Sequence, residues 1–178
     1  TFTDFGSHLS IVGSNAVFLG LYNNSTESGI FKGNGGPLTT VVKPRDAAPV
    51  GTFSEVGYPA TNGRETAFRA SFETYNLEGI FVSNGGPSIE VISEGDSLFA
   101  GTLGSLPPGD SQSVPIDNLG NIAFLYRLTD GREGVAIAIP IPEPSPSIFV
   151  FSGLIALGTF VGARRGAFLA AGTVVTHA

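Results

Sequence analysis

A tandem repeat with an offset of 50 residues is the feature that most constrains this chain. Residues 16–42 and 66–92 align without a gap, and both contain Gly-Ile-Phe followed by Asn-Gly-Gly-Pro at the same spacing. A period of this length indicates that one supersecondary unit recurs and stacks on its neighbours. The matching positions are Phe18/Phe68, Tyr22/Phe72, Gly29/Gly79, Ile30/Ile80, Phe31/Phe81, Asn34/Asn84 and Pro37/Pro87.

A third, partial copy follows the second. Residues 118–128 match the start of the unit, and Gly134-Val135-Ala136 stands where Gly-Ile-Phe is expected. Thr1-Phe2 matches Thr52-Phe53, which indicates that the sequence opens inside a repeat. We therefore predict a β-repeat domain over residues 1–139 with about two and a half units, truncated at the N-terminus.

Each unit has the pattern of short antiparallel strands. Apolar and aromatic residues alternate over 16–22 and 66–72, and Asn-Gly-Gly-Pro follows the next apolar run in both units. Asn and Gly tolerate the positive φ values of hairpin turns. We predict an all-β fold of tandem antiparallel units of about 50 residues that resemble β-propeller blades, partial or open. A stacked β-array or a sandwich is the alternative.

Composition disfavours several classes of function. The chain has 9 Lys and Arg against 15 Asp and Glu, and a net charge of −6 disfavours nucleic acid as a partner. It has no Cys and only two His, which excludes thiolate zinc sites and disfavours a multi-histidine metal site. We therefore expect no metal and no cofactor.

The C-terminal part changes character. Residues 148–161 carry no charge, and they lie between Pro142-Glu143-Pro144 and Arg164-Arg165. We predict a Pro-rich linker at 140–147, a hydrophobic transmembrane or sorting helix at 148–163, and a basic pair with a short tail at 164–178. An ordinary C-terminal anchor and a buried hydrophobic helix are the alternatives.

This order of elements resembles the PEP-CTERM sorting signal of bacterial exported proteins. The resemblance is carried by Pro142, Glu143, Pro144, the apolar run and the pair Arg164-Arg165. It implies export, tethering in the inner membrane and cleavage near Pro-Glu-Pro by an exosortase-type protease, with release to the cell surface or extracellular space. The chain departs from the pattern because residues 166–178 continue past the basic pair.

The repeats also resemble the NxxGxxAF choice-of-anchor repeat family of bacterial secreted proteins. Residues 13–18, 62–68 and 118–124 match its motif with shifted Asn–Gly spacing, and Gly-Ile-Phe follows in the first two units. This second resemblance implies export and repetition but no activity.

Candidate chemical groups each have a structural alternative. Asp46 and Asp96 recur at the repeat offset and suit either calcium ligation or turn formation, and turn formation is favoured. His8 with Asp4 and Ser7 or Ser10 could form a triad only by local clustering, which is not how triads are built. Paired carboxylates for glycoside hydrolysis could come from Glu73, Glu78, Glu90 and Glu94, although solvated strand faces are favoured for them.

The aromatic residues fall at equivalent repeat positions, which favours core packing over a carbohydrate-stacking platform. They are Phe18, Tyr22, Phe31, Phe68, Phe72, Phe81 and Phe124.

Together these patterns predict a protein that is not an enzyme. We expect an exported, membrane-tethered and exosortase-processed protein of the bacterial envelope or extracellular matrix with a structural, adhesive or binding role. Its expected partners are the inner membrane, the processing protease and extracellular polysaccharide. The alternative is a carbohydrate-binding or carbohydrate-active module on propeller-type blades.

Overall fold

Strands make up all the regular structure in the part of the chain that the computed structural model describes, which is residues 2–74, 76–107, 114–141 and 168–171. The prediction of an all-β fold is confirmed for these residues. The strands form three antiparallel sheets, and within each sheet every strand pairs with the strand that precedes or follows it in the sequence.

The first two sheets are four-stranded meanders, and the third has five strands. Sheet 1 consists of β1 (Phe2–Val12), β2 (Asn15–Tyr22), β3 (Glu27–Gly33) and β4 (Thr39–Val42). Sheet 2 consists of β5 (Phe53–Thr61), β6 (Thr66–Phe72), β7 (Glu78–Ser83) and β8 (Ile89–Ser93). Sheet 3 consists of β9 (Ser97–Leu98), β10 (Gly101–Ser105), β11 (Ile122–Leu128), β12 (Glu133–Pro140) and β13 (Phe168–Ala171).

The sequence repeat is a structural repeat, as predicted. Phe18 pairs with Phe31 across β2 and β3, and Phe68 pairs with Phe81 across β6 and β7. The bulge in β3–β4 next to Phe31 recurs in β7–β8 next to Phe81. Because a slip of one residue would turn every side chain to the opposite face, this shared register gives both sheets the same two faces.

The third unit continues beyond the point where the sequence match ends. β10, β11 and β12 occupy the places of the first three strands of a unit, and Phe124 pairs with Ala136 as Phe18 pairs with Phe31. The fourth place is taken by β13, whose register joins Ile139 to Leu169. The interval 164–178, predicted as a basic pair and short tail, thus contributes one strand to sheet 3.

Two hydrophobic cores hold the three sheets together, and sheet 2 contributes to both. Phe53, Phe68 and Phe81 lie on the face that packs against sheet 1. Ile80 and Val82 lie on the opposite face and pack against sheet 3. A sheet covered on both faces has little polar alternation, and six of the seven residues of β6 are indeed buried.

The Gly-Ile-Phe motif has a packing reason. A Cβ at Gly79 would lie 2.9 Å from the Phe81 ring, because that ring lies over the glycine two residues earlier. In the third unit Ala136 supplies no ring, and the phenol of Tyr126 covers Gly134 from the neighbouring strand instead. The glycine therefore persists in all three units while the ring above it changes strand.

Candidate functional site

One face of sheet 1 is apolar, and none of the other described strands packs on it. We call it the open aromatic face, and its residues share the side of the sheet that carries Phe18. Phe5, Leu9 and Ile11 on β1 are each more than 60% exposed, and Phe18 is only half-buried. A contiguous apolar patch of this kind marks a binding or assembly surface. The face consists of Phe2, Phe5, Leu9, Ile11, Phe18, Tyr22 and Phe31.

The rings on this face form one connected cluster. Phe2 lies 4.8 Å from Phe31 and 5.7 Å from Phe18, measured between ring centroids, and both pairs meet edge to face. Phe5 lies 5.5 Å from Phe18, and Tyr22 lies 6.0 Å from Phe31. Edge-to-face pairs at these distances are mutually attractive, so the cluster is preorganised even though it is partly exposed.

A groove of about 320 Å³ lies at one end of the open aromatic face. Phe2, Tyr22 and Phe31 give it apolar walls, and Asn23 and Lys43 add polar groups, together with Thr40. Burial, and then the neighbouring carboxylate of Glu27, raise the pKa of Tyr22 above its ordinary value. The phenol O–H makes a side-chain hydrogen bond with Glu27, and the phenol oxygen can still accept a hydrogen bond from a ligand.

Sheet 3 has an exposed apolar face of a different kind, which we call the open aliphatic face. Its residues are branched aliphatic side chains on β11 and β12, and they alternate with the buried residues Phe124, Ala136 and Ala138. None of them is aromatic. Leu125, Val135, Ile137 and Ile139 are between 39% and 51% exposed.

The candidate carboxylates do not form one acid pair. Glu78 is held by Arg69, with Arg69 Nε 2.7 Å from Glu78 Oε1. Glu94 accepts a hydrogen bond from the backbone N–H of Glu78 at 3.1 Å, and Glu73 accepts one from the Thr52 hydroxyl at 2.6 Å. Glu90 lies on β8 opposite Phe81. Glu94 contacts the backbone of Glu78, and the Glu78 carboxylate itself is taken up by Arg69.

Asp46 and Asp96 close equivalent turns between successive sheets. Asp46 Oδ2 accepts from the backbone N–H of Lys43 at 2.9 Å, and Asp96 Oδ2 accepts from that of Ser93 at 2.8 Å. In each case the backbone of the aspartate also pairs with the first strand of the next unit. The turn interpretation is the one that the geometry supports, because each carboxylate is used by its own turn.

A third aspartate, Asp117, also closes a turn with its carboxylate. Asp117 Oδ1 accepts from the backbone N–H groups of Asn121 and Leu119. These donors, led by Asn121, lower the pKa of Asp117 below its ordinary value. Among the described residues, no three His, Asp or Glu side chains converge in a way that could hold a metal ion.

The local triad residues on β1 have other contacts. Asp4 accepts a hydrogen bond from the backbone N–H of Phe5 at 2.7 Å. Ser10 Oγ accepts one from the N–H of Thr61 at 3.1 Å, which links sheet 1 to sheet 2. The His8 ring lies 4.7 Å from the Tyr58 ring.

Arg69 is a buried charge that the sequence pattern did not single out. It occupies the place that Leu19 has in sheet 1 and Leu125 in sheet 3, and it is only 6% exposed. Besides Glu78, its guanidinium donates to the carbonyl oxygens of Leu106 and Pro107. The departure from leucine at one repeat position was the available signal, and its role is to fasten the segment after β10 to sheet 2.

The predicted sorting-signal residues Pro142, Glu143, Pro144, Arg164 and Arg165, and the helix predicted at 148–163, lie outside the described residues. Within the described ranges there is no helix long and apolar enough to cross a bilayer.

Comparison with family models, with curated protein sequences and with solved structures finds no match to this chain.

Proposed function

We propose that this chain is an exported bacterial envelope or extracellular-matrix protein whose β-repeat body has a structural, adhesive or binding role. The observation that carries the proposal is the open aromatic face. The open aromatic face is a broad apolar surface that includes the repeat residues Phe18, Tyr22 and Phe31, and no other described sheet covers it. Such a surface suits association.

The stacking of the units supports propeller-type blades, in a partial or open arrangement, as the architecture. Three antiparallel meanders follow one another in the chain, and the middle one packs its two faces on its two neighbours. Blades of a propeller stack in this way.

The C-terminal segment is proposed to be a PEP-CTERM-type sorting signal on the strength of its sequence. Pro142, Glu143 and Pro144 would give an extended strip that a protease can reach, since proline removes backbone donors and fixes φ. Arg164 and Arg165 would hold the far end of the apolar run at the cytoplasmic side of the inner membrane.

The sorting proposal requires that β13 is not paired with β12 while the segment is in the membrane. Only residues 166 and 167 separate Arg165 from Phe168, and that stretch spans roughly 10 Å, against about 30 Å for the bilayer core. A chain with Arg165 across the membrane therefore cannot pair Phe168–Ala171 with β12. Membrane insertion and the pairing of β13 exclude each other.

The test of export and processing is the intact mass of the protein released by a host with an exosortase and by the same host without it. We expect release only with the protease, and a C-terminus near Pro142-Glu143-Pro144. Arg164→Glu with Arg165→Glu should abolish release, whereas the matched control Arg45→Glu with Arg64→Glu should not. Equal release from both hosts, or a released form that retains residues 148–178, would contradict the sorting signal.

The groove favours carbohydrate as a second candidate ligand. Aromatic walls beside an amide, a hydroxyl and an ammonium are suited to a sugar, whose ring has apolar faces and a polar rim. In a polysaccharide pull-down, Tyr22→Ala should lose binding while Tyr22→Phe, which retains the ring, should keep most of it. Equal retention of both variants would remove the groove from consideration.

A further inference from the structure

We infer that two copies of this chain associate head to tail, with the open aliphatic face of one copy covering the open aromatic face of the other. The inference deepens the proposed structural role and rests on it. The contact is one that the chain already makes twice within itself.

The contact between sheets 1 and 2 is the first example. The side of sheet 1 that carries Val17 and Ile30 packs on the side of sheet 2 that carries Phe68 and Phe81. Val17 and Ile30 are fully buried by this contact, as are both phenylalanines. An aliphatic face of one unit thus covers the aromatic face of the next.

The contact between sheets 2 and 3 repeats the arrangement. Ala67 and Ile80 in sheet 2 occupy the places of Val17 and Ile30, and they pack in the core that contains Phe124 and Tyr126. Phe124 has the repeat position of Phe18 and Phe68. The same two faces therefore meet in the same order at both junctions.

Among the described residues, no further sheet covers the corresponding faces of sheet 1 and sheet 3. In sheet 3, Val135 pairs with Leu125 as Ile30 pairs with Leu19, yet Val135 is 51% exposed where Ile30 is fully buried. In sheet 1, Phe18 is half-buried where Phe68 is fully buried. The chain thus presents both halves of its own internal junction, one at each end.

A second copy is the occupant that this geometry specifies, because the complement of the aromatic face lies on the chain itself. The two faces differ, so the contact is heterologous: it closes into a ring if the rotation between sheets permits, and otherwise grows as an open stack. In both cases each copy contributes its aliphatic face to one contact and its aromatic face to another.

Mutually blocked variants test this directly. One variant carries Leu9→Glu and Ile11→Glu on the aromatic face, and the other carries Val135→Glu and Ile137→Glu on the aliphatic face, so that the two blocked faces repel each other. All four positions are more than 40% exposed, so the isolated fold should tolerate the charges. Leu119→Glu, at a position 80% exposed and outside both faces, is the matched control. Full-length proteins are compared in one mild detergent by circular dichroism and by light scattering for protein mass.

We expect wild type and the control to exceed the single-chain mass of 18.3 kDa and each blocked variant to match it. An equimolar mixture of the two blocked variants should form a one-to-one heterodimer and nothing larger, since only one productive contact remains.

Three results would overturn the inference. They are a monomeric wild type, a blocked variant that assembles like wild type, and a mixture that stays monomeric although both variants are folded. A monomeric wild type that binds polysaccharide through the aromatic face would leave the proposed binding role standing and refute only the self-association. Assembly that persists in every variant would assign it to the C-terminal apolar run.

Discussion

The repeat offers an unusually controlled stability experiment, because Phe18 and Phe68 have the same strand position and the same cross-strand partner type. Phe68 is fully buried between sheets 1 and 2, and its ring lies 6.0 Å from Phe53 and 5.8 Å from Phe81. Phe18 has comparable ring neighbours, but its ring lies on the open aromatic face, which no second described sheet covers. The same substitution, phenylalanine to alanine, therefore measures what the covering sheet contributes.

The expected magnitudes follow from burial. Phe68→Ala removes a fully buried ring and leaves a cavity between two sheets, which costs about 3–5 kcal/mol of unfolding free energy. Phe18→Ala removes a partly exposed ring and leaves a surface depression that water can fill, so the cost should be smaller, about 2–3 kcal/mol. At about 2–4 °C of Tm per kcal/mol for a chain of this size, the two variants should melt several degrees apart.

The assay is urea and thermal unfolding followed by far-ultraviolet circular dichroism, at the lowest workable protein concentration. Dilution matters because a second copy on the open aromatic face would bury Phe18 as well. Equal losses for the two variants, or a larger loss for Phe18→Ala in dilute protein, would refute the assignment of the two phenylalanines to a covered and an uncovered face.

Three further predictions concern a turn, a carboxylate and a strand. Arg45 has φ of 71° at the turn position where the next unit has Gly95, so Arg45→Gly should raise the unfolding free energy by about 0.5–1 kcal/mol, measured by urea denaturation. The lowered pKa of Asp117 means that its ionised form favours the folded state. Its contribution should be fully present above the unfolded pKa of about 3.9 and be lost as the pH falls through the lower folded value, so an NMR titration should place the carboxyl midpoint below that of an unfolded peptide. Ile139→Cys with Leu169→Cys should form a disulfide in the purified chain, which has no other cysteine, and not in membrane-inserted precursor; mass spectrometry of the alkylated protein distinguishes the two.

Local sequence signals predicted the parts of the fold that depend on local chemistry. The shared register of Phe18 and Phe68 follows from the repeat, and the positive φ of Gly35 and Gly85 follows from Asn-Gly-Gly-Pro. The favoured turn role of Asp46 rests on the same kind of signal, because the donors that its carboxylate accepts are only a few residues away.

The features that could not be predicted from the sequence depend on contacts between residues that are distant in the sequence. Positions 18 and 68 are both phenylalanine in the same local pattern. Phe68 is fully buried and Phe18 is not, because sheet 1 packs over the face of sheet 2 that carries Phe68. β13 lies in a stretch that no repeat signal marks, since its pairing with β12 is made across a long intervening segment. Arg69 departs from leucine at its repeat position, but its partners Leu106 and Pro107 come from a different unit.

The neighbour-to-neighbour order of the strands has a consequence for how the protein folds. Each of the twelve strands up to β12 pairs with a strand adjacent to it in the sequence. Apart from the connection of residues 106–121 between β10 and β11, the hairpins close over short loops, so the sheets can form in chain order. β13 differs, because it must return across residues 141–167 before it meets β12. Until it does, β12 presents unpaired backbone donors and acceptors next to Ile137 and Ile139, and such an edge is a template for pairing with another chain. In a molecule whose C-terminal segment is not in the membrane, pairing with β13 therefore protects this edge from intermolecular strand addition.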